Sequence, residues 1–209
     1  MVAARAYALS CLAVVSLALA SCARPPAPPP PPPAPAPRPT PSPESLPCER
    51  VERIEVTKRS RTLVARCEGG GERRFTVALS RVPEGAKERK GDQRVPEGSY
   101  RLVGKPLPSR FHRFWRIDYP SPADAERAFA EGRISGEVRG AILRAHDRGA
   151  LPPQRTALGG IVGLHGEGER WRGDSEHLDW TYGCIALSDA DLDFLILRAA
   201  PGTPVEIAP

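Results

Sequence analysis

Fourteen of the 23 residues from Pro25 to Pro47 are proline, and a stretch of that composition cannot join a packed core. Proline lacks an amide hydrogen and holds φ near one value, so the segment favours polyproline II. At about 3.1 Å per residue it could reach roughly 70 Å. It divides the chain into a leader, a stiff arm and one folding unit. The unit, residues 48–209, has the length of a single ordinary domain. The arm reads either as a spacer or as a passive linker.

The leader, residues 1–21, has one early positive charge, Arg5, followed by a mostly apolar run from Ala6 to Ala20. That run is short for a bilayer span and reads as the apolar region of an export signal. It ends Leu19-Ala20-Ser21-Cys22, which resembles a bacterial lipobox, where the cysteine is lipidated and becomes the new N-terminus. The other reading is an ordinary cleavage site with an incidental cysteine. Lipidation of Cys22 would anchor residues 22–47 to a membrane, firmly if more than one acyl chain is attached. Ala23 in the following position resembles the sorting pattern of outer-membrane lipoproteins. The expected location is therefore the bacterial cell envelope, on the periplasmic side of the outer membrane.

Thirty basic residues are interspersed with 25 acidic ones, for a net charge of +5. No basic run or regular aromatic repeat argues for nucleic acid. A mildly basic surface suits an anionic cell wall.

The five cysteines divide by position. Cys11 leaves with the leader and Cys22 carries the expected lipid. Cys48 and Cys67 flank two alternating segments, 51–56 and 62–66, around the polar turn Lys58-Arg59-Ser60. A hairpin there would bring its ends together and allow a disulfide in an oxidising compartment. That leaves Cys184 unpaired; the rival is a bridge that includes Cys184.

Alternation also predicts strands over 74–79, 99–103 and 111–119. A glycine-rich apolar strand should end at Leu164, and a last strand should cover 204–207. Ser121-Pro122-Ala123-Asp124 carries a cap residue, a first-position proline and an acid three residues on, so a helix should run from there to Gly132. A second helix is expected over 137–148. A third should start at Ser188, with Asp191 at its capping position and Leu192, Leu195 and Ile196 inward. The class is mainly β with helical insertions.

His165-Gly166 follows the apolar run 160–164, and 19 positions later Gly183-Cys184 leads into Ile185-Ala186-Leu187. A thiol is a strong nucleophile as thiolate, and a neighbouring imidazole is the usual means of making one. A cysteine before an apolar run is by itself more often core; the paired glycine settings argue for a site instead. His112, His146 and His177 read as ordinary, and no pair has zinc spacing, so neither metal nor cofactor is expected.

These residues resemble the L,D-transpeptidase catalytic domain, the YkuD-like family. The similarity lies in His165-Gly166, in Thr181-Tyr182-Gly183-Cys184-Ile185, and in Gly91-Asp92 with Pro96-Glu97-Gly98-Ser99-Tyr100. Ile117-Asp118-Tyr119-Pro120 and Gly202-Thr203-Pro204-Val205-Glu206-Ile207 extend it over about residues 51–209. The resemblance implies a β-sandwich-like domain. It also implies a cysteine acyltransferase that attacks a peptidoglycan stem peptide at its third residue and expels the terminal D-residue. The acyl group then passes to an amine, giving a cross-link or an attached protein, or to water.

On that resemblance Cys184 is the nucleophile and His165 the base. The Gly166 carbonyl would orient the imidazole, and backbone amides around Tyr182, Gly183 and Cys184 would form the oxyanion hole. Trp171, Trp180 and Tyr119 read first as packing or loop anchors; of the three, Trp180 and Tyr119 are the candidates for lining the cleft, because their flanking residues recur in the resemblance. Two positions depart from the commoner signature: Tyr182 replaces a histidine, and Ala186 replaces an arginine. Together they resemble an Asp-Trp-Thr-x-Gly-Cys-Ile-Ala-Leu branch whose members include a hydrolase releasing wall-linked lipoprotein. A non-catalytic wall-binding lipoprotein is the third reading.

Overall fold

The computed structural model describes residues 46–168 and 179–209. The leader, Cys22 and nearly all of the proline-rich arm lie outside them, as do Trp171 and His177. The described residues all fall within one compact unit, Thr40–Pro209.

Eight strands make the frame: β1 Val51–Thr57, β2 Thr62–Cys67, β3 Glu72–Thr76, β4 Gly98–Ser109, β5 His112–Ile117, β6 Gly163–His165, β7 Ile185–Ala186 and β8 Pro204–Ala208. Their order across the sheet is β3-β2-β1-β8-β4-β5-β6-β7. β1 runs parallel to β8 and β6 parallel to β7; the remaining pairs are antiparallel. β4 is the hinge of the sheet. Its residues 98–101 pair with β8, and from Leu102 on it pairs with β5, with a break in register between Val103 and Leu107. Such irregularities bend a strand and let one sheet fold over itself. The domain is mainly β with helical insertions, as the residue pattern predicts.

The alternating segment 74–79 serves two partners. β3 ends at Thr76, and the chain then leaves β2 and crosses to the other end of the sheet. The Ala78 and Ala186 amides each donate to the other's carbonyl at 2.9 Å, and the Trp180 and Thr181 amides both donate to the Leu79 carbonyl at 3.0 Å. This seam closes the curl and fixes the backbone on either side of Cys184. The strand expected over 160–164 is also shorter. Only 163–165 is β6, because the Ile161 amide donates to the Gln154 side chain at 2.6 Å and Ile161 adopts a positive φ of 57°.

Three helices pack on this frame: α1 Pro122–Ala130, α2 Gly136–Asp147 and α3 Asp189–Arg198. Each opens on a serine whose hydroxyl accepts a backbone amide hydrogen. At α1 the box is complete, since the Asp124 carboxylate also accepts the Ser121 amide at 2.9 Å. Asp124 is buried, yet it receives the Tyr100 hydroxyl at 2.9 Å and an Arg127 guanidinium at 2.7 Å. Leu192 and Leu195 of α3 enter the core, and Ile196 packs at its edge. Cys48 and Cys67 are joined in a disulfide with Cα atoms 5.2 Å apart. Among the described residues Cys184 is the free cysteine.

Candidate active site

The sheet places His165 and Cys184 on one face. His165 stands beside Ala186 in the parallel β6–β7 pair. Side chains alternate along a strand, so Cys184, two residues before Ala186, faces the same side as His165. A diagonal of that kind separates the Cα atoms by about 8 Å. Both side chains line one cavity of about 550 Å³.

The imidazole is closely held. Its Nδ1 lies 2.6 Å from the Gly166 carbonyl oxygen, which can only accept, so Nδ1 carries the proton and Nε2 keeps the free lone pair. Phe111 stacks on the ring at 5.0 Å between centroids, and Trp180 meets it edge-on at 5.4 Å. Burial keeps His165 below the usual histidine range, partly opposed by the Gly166 carbonyl. Behind it, the Asp189 carboxylate at the start of α3 accepts the Glu167 and Gly168 amides at 3.0 and 3.1 Å, and the Glu167 carboxylate accepts the Asp189 amide at 3.2 Å. Gly166 is closed in by this arrangement: a Cβ there would run into the Asp189 carboxylate.

The thiol is half-buried and donates to the Ile161 carbonyl at 3.7 Å. Burial pushes Cys184 up to about 11, against the smaller lowering effects of the Gly163 amide and Lys87. At neutral pH both partners are therefore uncharged at rest. This differs from the ready-made thiolate that a cysteine beside an imidazole suggests, because desolvation outweighs the nearby positive groups.

Thr181 staples the loop that presents the sulfur. Its hydroxyl donates to the Cys184 carbonyl at 2.7 Å and accepts the Gly183 amide at 3.3 Å. Gly183 has φ +125°, and a Cβ there would stand 3.0 Å from the Arg94 carbonyl oxygen, so only glycine fits. Because Thr181 already engages the Gly183 amide, the expected oxyanion donors reduce to the amides of Tyr182 and Cys184. The Tyr182 side chain is 67% exposed and lies under the Arg81 guanidinium, 4.9 Å from its ring centroid.

Trp180 lines the cavity. Tyr119 does not: it is fully buried, and its hydroxyl donates to the Leu158 carbonyl at 3.1 Å. The reason is strand parity. Trp115, Ile117 and Tyr119 alternate inward to the core, whereas Phe114 and Arg116 face the cavity. Phe111 and Arg116 carry no motif that marks them, and Thr181, though inside the Thr-x-Gly-Cys motif, is given no role by it. Their place depends on which strands become neighbours. A second cavity of about 360 Å³, lined in part by Lys90, Gln154, Arg155 and Thr156, shares Ile161, Tyr182 and Cys184 with the first.

A curled sheet that presents an unpaired thiol and a carbonyl-oriented imidazole on one face defines a thiol–imidazole domain of the mainly β class. The chain belongs to the L,D-transpeptidase catalytic domain family, YkuD, whose family model matches residues 51–207. Solved structures with a similar fold include the helical cell-shape-determining protein Pgp2 of Campylobacter jejuni, at 18% identity and a TM-score of 0.48, over 76% of this chain and 47% of that one. An L,D-transpeptidase from Mycobacterium smegmatis is 13% identical with a TM-score of 0.43, covering 76% of this chain and 59% of that chain. Bd1075 of Bdellovibrio bacteriovorus is 15% identical with a TM-score of 0.44, over 76% and 48%. This chain thus spans between about half and three fifths of the length of these proteins. No curated protein matches it.

Proposed function

We propose that the protein is a cysteine acyltransferase that acts on peptidoglycan stem peptides through a thioester at Cys184. The observation that carries this reading is the pairing of a free thiol with an imidazole whose Nε2 lone pair is left available by the Gly166 carbonyl, both open to one cavity.

With both groups neutral, proton transfer accompanies attack. The thiol proton passes to Nε2 as the sulfur–carbon bond forms at the scissile carbonyl. The amides of Tyr182 and Cys184 receive the oxyanion, and the imidazolium returns the proton to the departing amine as the carbon–nitrogen bond breaks. An amine acceptor, protein-borne or from a second stem, then attacks the thioester carbonyl; His165 Nε2 takes a proton from the amine and returns it to the sulfur as the carbon–sulfur bond breaks, which regenerates the Cys184 thiol. The second cavity supports an acceptor larger than water, since it reaches Cys184 from the other side of Ile161 and Tyr182. The leader, the lipidated Cys22 and the proline-rich arm would place residues 48–209 in the periplasm, tethered to the outer membrane.

The test is intact mass of the protein after exposure to muropeptides or to a carbapenem, with and without Cys184. An adduct present in the wild type and lost in Cys184→Ala supports the reading; an adduct unchanged by the substitution overturns it. Product analysis then separates a cross-link or attached protein from a freed tripeptide, the mark of hydrolysis.

A further inference from the structure

β5, β6 and β7 lie side by side beneath the cavity. Phe114 pairs with His165 and Arg116 with Gly163, while Leu164 pairs with Ile185 and His165 with Ala186. Carrying that register one residue further sets Gly163 beside Cys184. By register this face of the sheet therefore bears two rows, Phe114, His165 and Ala186 in one and Arg116, Gly163 and Cys184 in the other; Phe114, His165, Arg116 and Cys184 line the cavity. The middle of the second row is bare and must be, because a Cβ on Gly163 would collide with the Trp115 carbonyl. Guanidinium and sulfur thus flank a glycine lane, with Cα atoms two strand spacings apart, about 10 Å.

Among the described residues the charge at the far end of this lane is unanswered. Arg81 lies over the Tyr182 ring and Arg110 over the Phe111 ring. The Arg116 side chain has no ion pair, hydrogen bond or aromatic contact among the described residues, and its Nε is buried without a partner there. No carboxylate among the described residues lines the cavity. A guanidinium left with unused donors in a partly desolvated site is matched best by a carboxylate, which can take two parallel hydrogen bonds from it. Position 186, in the other row, is a fully buried alanine packed near Trp180 and Phe111.

We infer that Arg116 reads the free terminal carboxylate of the residue expelled from the donor peptide. The inference rests on the acyl-transfer reading above. With the scissile carbonyl over Cys184, the leaving residue extends along the glycine lane, and its carboxylate meets Arg116. The site then accepts donors that end one residue past the scissile bond. It discriminates against those whose terminus is amidated or lies a residue further on. Arg116 acts here as a specificity residue; the bond changes remain those of Cys184 and His165.

The experiment measures acylation of the full-length protein in detergent, by intact mass and by release of the terminal residue. The donors are a tetrapeptide stem with a free carboxylate and the same stem as its terminal amide. The wild type should acylate on the free acid about 10- to 100-fold faster, the range expected for a charge-assisted hydrogen-bonded pair. Arg116→Ala should lose about that factor on the free acid, keep its rate on the amide, and so lose its preference; Arg116→Lys should keep part of it. An unchanged rate on the amide also shows that the variant folds, and Arg116→Gln supplies the same comparison if the alanine variant does not. Equal wild-type rates on the two donors, or equal losses on both in every Arg116 variant, overturn the inference alone. No wild-type acylation by either donor overturns the acyl-transfer reading and this inference with it.

Discussion

His165 and Ala186 are neighbours across the parallel β6–β7 pair, and this single pairing places the Cys184 sulfur on the imidazole's side of the sheet. His165 and Cys184 are 19 positions apart in the chain. Their place on one face follows from strand register together with the seam that ties residues 78–79 to residues 180–186.

Replacing Cys184 with serine should lower donor turnover by a factor on the order of 10³ or more, because a hydroxyl is far less acidic and less nucleophilic than a thiol and the site gives it no compensating base beyond His165. Release of the terminal D-residue checks this. Turnover near wild type would mean that another group is the nucleophile.

The pH dependence should distinguish a neutral thiol–imidazole pair from an ion pair. Burial holds His165 low and lifts Cys184 to about 11. Alkylation of the free protein by iodoacetamide, which follows thiolate, should therefore rise with a midpoint above 9, the ordinary value for the thiol. Donor acylation should already be at its plateau by neutral pH, once His165 is deprotonated. An alkylation midpoint below 7 would sink the neutral-pair description.

Thr181→Val removes a hydroxyl that bridges the Gly183 amide and the Cys184 carbonyl. Freed from this staple, the loop should misplace the sulfur, and turnover should fall by about 10²-fold at most with little change in melting temperature. Thr181→Ser should retain most activity. If the valine variant matched wild type, the hydroxyl would have no positioning role.

Glu167 offers a stability test with an unusual sign. Desolvation, with the nearby Asp189 and Asp191 carboxylates adding to it, lifts the Glu167 carboxyl from 4.5 to about 7. A carboxyl raised in the folded state binds more protons folded than unfolded. Its contribution to stability is present below about 4.5 and is lost as pH rises through about 7. One of its oxygens is buried without a partner. Glu167→Gln, uncharged at every pH, should melt above wild type at pH 8, and the gap should close at pH 5. A gap that is constant or reversed would contradict the raised carboxyl.

Removing the Cys48–Cys67 bridge should destabilise the domain by about 3 kcal/mol, the chain-entropy value for a closed loop of this size. Chemical denaturation of the double alanine variant measures it. Carbapenem labelling of Cys184 should survive at low temperature, since the bridge lies outside the cavity. Loss of labelling in the folded variant would tie the bridge to the site.

What could be read along the chain was whatever is decided locally. The Ser121–Asp124 box and the Ser188 cap depend on residues three apart. The β1–β2 hairpin and its disulfide depend on alternation around one short turn, and the His-Gly and Gly-Cys settings mark the two reactive side chains. Tyr119 shows where such reading stops. Its neighbours fit a cleft, yet strand parity sends it to the core with Trp115 and Ile117. Segment 74–79 alternates as one strand, but alternation does not name its partner, and the sheet gives it two.

The order of residues alone thus determined the mainly β class, the helix starts, the cross-linked hairpin and the candidate thiol and imidazole. Tertiary structure alone decided that Phe111 and Trp180 clamp the imidazole, that Thr181 braces the sulfur loop, and that Arg116 faces Cys184 across Gly163. It also decided the charge state of the pair. Register between strands distant in sequence, and the exclusion of water that follows from their packing, are properties of the assembled sheet and not of any single segment.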